Sequence, residues 1–161
     1  MKRQIAREGV VTLTDPSMTR FVMTIPQAVR LVLRAVSLSR GQEVFILKMP
    51  AARLKTIADA AIRSFAPEFG KRPSDIRIQI IGKRNGEKRH ERLLAEHELP
   101  RALETKDLYI LTPNETVGLQ RYALVYPGAR SGVTSKAYSS EHAPELSVEE
   151  ITRLIRENQF V

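Results

Sequence analysis

Residues 22–65 read VMTIPQAVRLVLRAVSLSRGQEVFILKMPAARLKTIADAAIRSF, and this stretch decides the fold class. Its first part, residues 22–40, places apolar side chains at the three- and four-residue spacing of one helical face. That face holds Val29, Val32, Leu33 and Val36. Gly41 follows as a stop signal, so the stretch is predicted to begin with an amphipathic helix.

An apolar strand and a second helix follow within the same stretch. Residues 43–47 are almost wholly apolar, which predicts a strand buried on both faces, as in a parallel sheet. Residues 52–65 return to helical spacing. The helix–strand–helix order indicates an α/β protein.

Further elements extend the alternation on both sides. Residues 10–14 are rich in β-branched side chains and predict a short strand. In residues 76–81 isoleucines alternate with polar residues, which predicts a strand with one solvated face. A polar helix is predicted for residues 87–99 and a short strand for residues 108–111. Residues 1–9 resemble the tail of a helix without a start signal, and we expect further chain upstream.

The sequence divides into two regions. Residues 1–112 carry the α/β pattern, whereas residues 113–161 are predicted to hold an irregular connection and a C-terminal helix. Ser147 and Glu150 have the spacing of a capping box, which marks the start of that helix.

Composition limits the function classes. The 161 residues carry a net charge of +8, which attracts anions such as nucleic acid or phosphorylated small molecules. Basic residues alternate with glutamate, and aromatic residues make up only 6%, so nucleic-acid binding is a minor hypothesis. Cysteine is absent and no apolar run has membrane-spanning length. We therefore expect a soluble cytoplasmic protein that forms no membrane contact.

Motifs for cofactor binding and metal binding are missing from the sequence. No glycine pattern matches a dinucleotide or P-loop cradle, and no tyrosine is followed four positions later by lysine. His90 and His97 have no cysteine or acidic trio at ligand spacing, so a zinc site is not expected. We interpret His90 as a packing or capping residue.

Two basic segments are candidate anion sites. In residues 14–21 (TDPSMTRF), Arg20 stands near hydroxyls and an aromatic ring, where its forked guanidinium could hold a phosphate. In residues 82–87 (GKRNGE), Arg84 could add a second fork and Glu87 could accept from paired hydroxyls such as those of a ribose. Taken singly, each segment is better explained as an ordinary surface loop, with Glu87 favouring a helix dipole.

Four short segments follow one another in a fixed order: residues 11–24 (VTLTDPSMTRFVMT), 43–50 (EVFILKMP), 79–91 (QIIGKRNGEKRHE), and 138–150, where YSS precedes LSVEE. They resemble motifs of the bacterial UDP-sugar 4,6-dehydratases and 4-epimerases of capsule and polysaccharide biosynthesis. These enzymes belong to the extended short-chain dehydrogenase/reductase superfamily, and their segments read T-D-P-x-M-T-R-F, E-I-F-V-x-K-x-P, I-G-x-R-x-G-E-K-x-H/Y-E, and Y-N-S before L-x-V-E-E. Asn85 and Arg89 depart from that pattern.

The resemblance implies a specific fold and site. The chain is similar to the C-terminal portion of such an enzyme, with the last Rossmann strand and a small substrate-binding subdomain, while the N-terminal Rossmann half is absent. By this resemblance Arg20 and Arg84 bind the diphosphate of a UDP-sugar and Glu87 binds the ribose. Thr14 and Thr12 lie near the uracil.

The resemblance also implies what the chain does not do. The family takes NAD or NADP on its Rossmann half and uses a tyrosine–lysine pair there, so we expect no cofactor site, no catalytic residue and no activity in this chain alone. Its function is then the UDP-sugar-binding portion, of UDP-N-acetylglucosamine type, of a dehydratase or an epimerase. The partner is a UDP-sugar, with a Rossmann-half chain or a homo-oligomer as further candidates.

Two other hypotheses stay open at this point. The chain is either a stand-alone nucleotide-sugar-binding module or, on charge alone, a basic nucleic-acid-binding protein. If the strand at residues 44–47 lacks neighbours from a missing half, it is expected to leave an exposed apolar edge or face.

Overall fold

The computed structural model describes residues 1–113, 124–126, 128–131 and 137–157. Its α-helices are α1 (Lys2–Arg7), α2 (Ile25–Leu38), α3 (Leu54–Phe65) and α4 (Val148–Glu157). Its strands are β1 (Val10–Leu13), β2 (Thr19–Phe21), β3 (Val44–Leu47), β4 (Ala51–Arg53), β5 (Arg77–Ile80), β6 (Arg92–Leu94), β7 (Ala102–Glu104), β8 (Leu108–Leu111), β9 (Arg130–Ser131) and β10 (Tyr138–Ser139). The predicted α/β class is confirmed.

The strands form four small sheets. β1 and β5 are parallel, whereas β2 pairs with β4, and β6 with β10, in antiparallel fashion. The largest sheet is antiparallel, with the order β3-β8-β7-β9. None of the helices in the described part of the chain is long and apolar enough to cross a membrane.

The core of the described residues consists of four hydrophobic clusters, two of which pack on the parallel pair and on the largest sheet. α1 and α3 pack on the parallel pair through a cluster that includes Ile5, Val11, Leu13 and Phe65. The antiparallel sheet has its own cluster around Leu103, Leu108 and Ile110. The parallel pair and the antiparallel sheet therefore each carry a hydrophobic layer, and each holds a different part of the chain in place.

The C-terminal region joins elements of residues 1–112. β9 pairs with β7, β10 pairs with β6, and α4 packs on α3 through Ile151 and its neighbours. The predicted capping box is present, because Glu150 Oε2 accepts from the Ser147 N–H at 2.8 Å and the Glu150 N–H donates to Ser147 Oγ at 3.2 Å. Most of the predicted irregular connection, residues 114–123, 127 and 132–136, lies outside the described residues.

The predicted helix at residues 87–99 is wrong. This segment contains a bend, strand β6 and a 3-10 turn, Glu96–Arg101. Leu94 is fully buried while Leu93 is 40% exposed, which is the two-residue period of a strand. The backbone is already engaged elsewhere, since the carbonyl of Arg89 accepts from the Thr19 N–H and that of Glu91 from the Ser140 N–H. The backbone of this segment therefore forms hydrogen bonds with distant segments in place of the hydrogen bonds of a helix.

The prediction that residues 43–47 form a strand buried on both faces, as in a parallel sheet, is also wrong. β3 pairs antiparallel with β8 and lies at the edge of its sheet. Val44 is 52% exposed, whereas Ile46 is buried. Val44 is thus an exposed apolar side chain on a strand that has no neighbour on one side among the described strands.

The N-cap of α4 offers a test of how the C-terminal helix contributes to stability. Ser147→Ala removes the hydroxyl that accepts from the Glu150 N–H. We expect the free energy of unfolding to fall by about 1 kcal/mol, measured by urea denaturation. Ser37→Ala is the control, since the Ser37 hydroxyl bonds only to the preceding turn of α2 and caps nothing. Equal losses for the two variants would contradict a capping role.

Candidate functional site

The candidate site lies at the carboxyl ends of β1 and β5. The two strands run in parallel from the Val10–Arg77 pair to the Leu13–Ile80 pair, and the Ile81 N–H continues the pairing by donating to the Leu13 carbonyl at 2.8 Å. The loops that follow β1 and β5 therefore begin at the same end of the two-stranded sheet. Ligands of α/β proteins bind at this end of parallel strands.

The Glu87 carboxylate contacts the other three predicted site residues. Thr14 Oγ1 donates to Glu87 Oε1 at 2.9 Å, and the Arg84 N–H donates to Glu87 Oε2 at 3.2 Å. Arg20 Nη2 lies 3.7 Å from Glu87 Oε1. The sequence separates Thr14 from Glu87 by 73 positions, so this convergence depends on the pairing of β1 with β5.

Thr12 does not join this cluster. Its hydroxyl accepts from Gln4 Nε2 at 2.8 Å, which ties β1 to α1. Thr12 is also within the strand, two residues before the loop that carries Thr14. The two threonines therefore have different surroundings.

Contacts on several sides fix the Arg20 guanidinium. Nη1 donates to the carbonyls of Thr19 at 2.7 Å and Arg89 at 3.3 Å. Nε lies 3.7 Å from Glu91 Oε1, so a second carboxylate accompanies Glu87. The Arg20 side chain remains 22% exposed. A guanidinium already positioned in this way loses little side-chain entropy when an anion arrives.

Arg84 and its loop are far more open. In the described part of the chain, the Arg84 guanidinium makes no hydrogen bond or ion pair, and its residue is exposed. Gly82 and Gly86 bracket the loop at φ values of +83° and +79°, a left-handed conformation that strains other residues. Lys83, Lys88 and Arg89 are neighbours in sequence, so the surface is strongly basic.

The electrostatics of the cluster favour an ionised Glu87. The Arg84 N–H lowers the pKa of Glu87, partial desolvation opposes that change, and the Thr14 hydroxyl and the charges of Arg20 and Arg84 lower the pKa further. The Arg20 guanidinium, 3.7 Å from Glu87 Oε1, is the nearer of the two cations whose charges favour this carboxylate. A similar local effect lowers the pKa of Asp15, chiefly through the hydroxyl and N–H of Ser17.

A buried polar junction beneath Arg20 escaped the sequence analysis. Thr19 Oγ1 lies 2.8 Å from His90 Nδ1 and 2.7 Å from Ser140 Oγ, and Ser140 Oγ accepts from the Glu91 N–H at 2.8 Å. His90 therefore packs, as predicted. Because the partners are 71 and 121 positions apart, no local signal in the sequence could have found them.

Glu91 was also missed as a member of the site. Its Oε2 accepts from the Phe21 N–H at 2.9 Å while its Oε1 faces Arg20. Glu91 therefore contacts both the backbone of β2 and the Arg20 guanidinium. The sequence analysis predicts a helix for these residues and therefore gives no reason to expect Glu91 to contact β2 and Arg20.

The chemistry of these side chains suits the binding of an anion. Two guanidinium groups and a pre-ionised carboxylate suit a ligand with both phosphate and hydroxyl groups. Within the described residues, no cluster of three or more histidine or acidic side chains could hold a metal ion.

Comparison with known proteins identifies relatives along the whole chain. A family model of polysaccharide biosynthesis proteins matches residues 1–113. An uncharacterized membrane protein of Methanocaldococcus jannaschii is 39% identical over 161 residues, which are 100% of this chain and 45% of that protein. The UDP-glucose 4-epimerase of Rickettsia conorii is 30% identical over 158 residues, which are 98% of this chain and 44% of that protein.

A solved structure agrees with these relatives. The X-ray structure of Pen from Bacillus thuringiensis superposes on 99% of this chain and 44% of its own, with a TM-score of 0.80 and 31% sequence identity. The chain therefore spans less than half the length of each of these three proteins.

The lowered pKa of Glu87 can be measured directly. In the folded chain we expect it to titrate below the ordinary value of 4.5, so that its contact with Arg20 persists above that pH and is lost as the pH falls through the lower folded value. Thr14→Val removes one donor and is expected to raise this pKa toward 4.5. Carbon-13 NMR of the side-chain carboxyl reports both values.

Thr12→Val is the matched control for this titration. It deletes a hydroxyl that bonds to Gln4, so the pKa of Glu87 should not change. If Thr14→Val also left that pKa unchanged, Thr14 would not be holding the Glu87 carboxylate.

Proposed function

The chain belongs to the polysaccharide biosynthesis protein family and forms the C-terminal portion of an extended short-chain dehydrogenase/reductase, and from this we propose that it is the UDP-sugar-binding portion of a nucleotide-sugar 4,6-dehydratase or 4-epimerase. The observation that carries the proposal is the convergence of Thr14, Arg20 and the Arg84 loop on the Glu87 carboxylate. We further propose a sugar of UDP-N-acetylglucosamine type.

Arg20 and Arg84 have complementary roles in this proposal. Arg20 is held by two carbonyls and two carboxylates, so it offers a fixed point for one phosphate of the diphosphate. Arg84, on its open loop, closes on the other phosphate. Each charge-assisted contact of this kind contributes roughly 1.5–3 kcal/mol.

Glu87 suits the ribose. It is an acceptor that the loop N–H and the nearby cations keep ionised, and its two oxygens match a pair of adjacent hydroxyls. Thr14 orients the same carboxylate and borders the base-binding end of the site. A neutral acid at this position would be both a weaker acceptor and a weaker counter-charge for Arg20.

In this proposal the reaction takes place on the dinucleotide-binding Rossmann half, which these residues do not include. A dehydratase or epimerase of this type begins with hydride transfer to NAD or NADP, which the family binds on its Rossmann half. We propose that this chain holds no cofactor and supplies no catalytic residue. Its contribution is to bind and orient the nucleotide.

A stand-alone nucleotide-sugar-binding module is the second candidate. It is favoured by the fact that all four predicted site residues meet within this one chain. The nucleic-acid hypothesis is weaker, because two carboxylates already accompany the central arginine of the basic surface.

Calorimetric titration with UDP tests the binding proposal. We expect measurable binding to the wild-type chain and a dissociation constant at least about tenfold higher for Arg84→Ala, which corresponds to ~1.4 kcal/mol. Arg20→Ala is expected to weaken binding at least as much. Arg30→Ala makes the same charge change on α2 and should bind as the wild type does. No binding by a folded wild-type chain, or equal weakening in all three variants, would refute the proposed clamp.

An activity assay tests the assignment of the chemistry. The purified chain, supplied with NAD⁺ and either UDP-glucose or UDP-N-acetylglucosamine, is expected to give neither an epimer nor a 4-keto sugar by chromatography and mass spectrometry. The Rickettsia conorii UDP-glucose 4-epimerase with UDP-glucose serves as the positive control. Turnover by the chain alone would show that it contains a catalytic site of its own.

A further inference from the structure

The second edge of β2 is occupied by the chain just before β6. β2 pairs with β4 along its first edge. Along the other edge, the Thr19 N–H donates to the Arg89 carbonyl at 3.0 Å, and the Phe21 N–H donates to Glu91 Oε2 at 2.9 Å. Arg20 stands between the two donors, so the segment before β6 sets the surroundings of its side chain.

Ser140 holds this segment from the C-terminal region. Its N–H donates to the Glu91 carbonyl at 2.8 Å, and its Oγ accepts from the Glu91 N–H at 2.8 Å. Both backbone groups of Glu91 are therefore bonded to one residue, 49 positions away. The same Oγ lies 2.7 Å from Thr19 Oγ1 and donates to the Thr19 carbonyl at 3.2 Å. One buried hydroxyl thus bonds both to β2 and to the segment beside it.

A single arrangement of protons satisfies these contacts. A carbonyl can only accept, so the Ser140 hydroxyl donates to the Thr19 carbonyl and its hydrogen is not available to Thr19 Oγ1. The Thr19 hydroxyl then donates to Ser140 Oγ, and His90 Nδ1 carries the proton that it donates to Thr19 Oγ1. Because the Glu91 N–H is its second donor, Ser140 Oγ uses its hydrogen and both lone pairs. Removal of the Ser140 hydroxyl therefore takes away a partner from each of these buried groups.

The Arg20 guanidinium uses the groups that Ser140 holds. Its Nη1 donates at 2.7 Å to the Thr19 carbonyl, which also accepts from Ser140. Its Nε lies 3.7 Å from the carboxylate of Glu91, whose backbone Ser140 fixes. A long side chain that is already held loses less rotational freedom when a ligand binds, and the ligand binds more tightly for that reason.

We propose that Ser140 is a positioning residue for the phosphate-binding Arg20. It acts through the Thr19 carbonyl and Glu91 and not by contact with the ligand. This inference rests on the proposed function, since it assigns a residue of the C-terminal region to the same nucleotide site. The simpler alternative is that Ser140 only anchors the C-terminal segment on β2. The two roles differ in whether the effect of Ser140 on binding requires Arg20.

A double-mutant cycle separates these roles. Ser140→Ala is made in the wild-type chain and in Arg20→Ala, and the dissociation constant for UDP is measured for all four proteins. Chemical-shift titration by NMR is suitable because it remains usable for weak binding. Circular dichroism shows whether each variant is folded.

Two further variants complete the design. Ser139→Ala is the matched control, because Ser139 is also buried and precedes Ser140 directly, and its hydroxyl bonds to neither Thr19 nor Glu91. Thr19→Val removes the hydroxyl that meets Ser140 and keeps the shape of the side chain. It is placed in the same two backgrounds, and it gives the answer if Ser140→Ala does not fold.

The positioning role predicts a loss of affinity that depends on Arg20. In the wild-type background, Ser140→Ala should raise the dissociation constant for UDP at least about fivefold. In the Arg20→Ala background the same change should alter it by less than about twofold, because the guanidinium that Ser140 positions is gone. Thr19→Val should show the same dependence, and Ser139→Ala should bind UDP as the wild type does.

Two results would overturn the assignment of Ser140. One is wild-type affinity for UDP in folded Ser140→Ala. The other is an equal loss of affinity in both backgrounds, or in Ser139→Ala, which would mean that the change only disturbs the C-terminal segment. In both cases Arg20→Ala by itself would still weaken binding, and the proposed nucleotide site would stand. If Arg20→Ala by itself left the affinity for UDP unchanged, the proposed clamp would fail and the positioning role with it.

Discussion

The parallel pairing of β1 with β5 is the constraint on which the candidate site depends. It places two loops, distant in sequence, at one edge of a sheet, and the Glu87 carboxylate then bonds across them to Thr14. α1 and α3 hold the pair by packing on Val11 and Leu13. A shift of one residue in this register would turn those side chains away from the helices, so the hydrophobic layer and the site geometry are set together.

Although the net charge of the chain is +8, negative carboxylates offset part of the positive charge around Arg20. Arg20 has two carboxylates and two backbone carbonyls around its guanidinium, and its side chain stays 22% exposed. The junction of Thr19, His90 and Ser140 fixes the backbone beneath it and connects the C-terminal segment to the site. This favours a small, oriented phosphate ligand over an extended polyanion, which would need a row of free cations.

The surfaces of the fold divide into two kinds. The loops at the carboxyl ends of β1 and β5 are basic and polar, and they form a site within one chain. On the other surface, large apolar side chains of α2 are exposed, and β3 has no neighbour on one side among the described strands. The exposed apolar residues of α2 are Ile25, Val29, Val32, Leu33 and Val36.

The sequence by itself determined the α/β class, the boundaries of α2 and α3 within a few residues, and the capping box of α4, because each depends on side chains within one or two turns of each other. Through four short motifs it also indicated Thr14, Arg20, Arg84 and Glu87, which the structure brings together. Only the tertiary structure decided that residues 87–91 are not helical, with a bend at residues 89–90, and that Glu91 and Thr19 contact Arg20. It likewise decided that β3 is an antiparallel edge strand and that α2 turns an apolar face outward. Those outcomes depend on hydrogen bonds and packing between segments tens of residues apart, and such contacts leave no periodic trace in the local sequence.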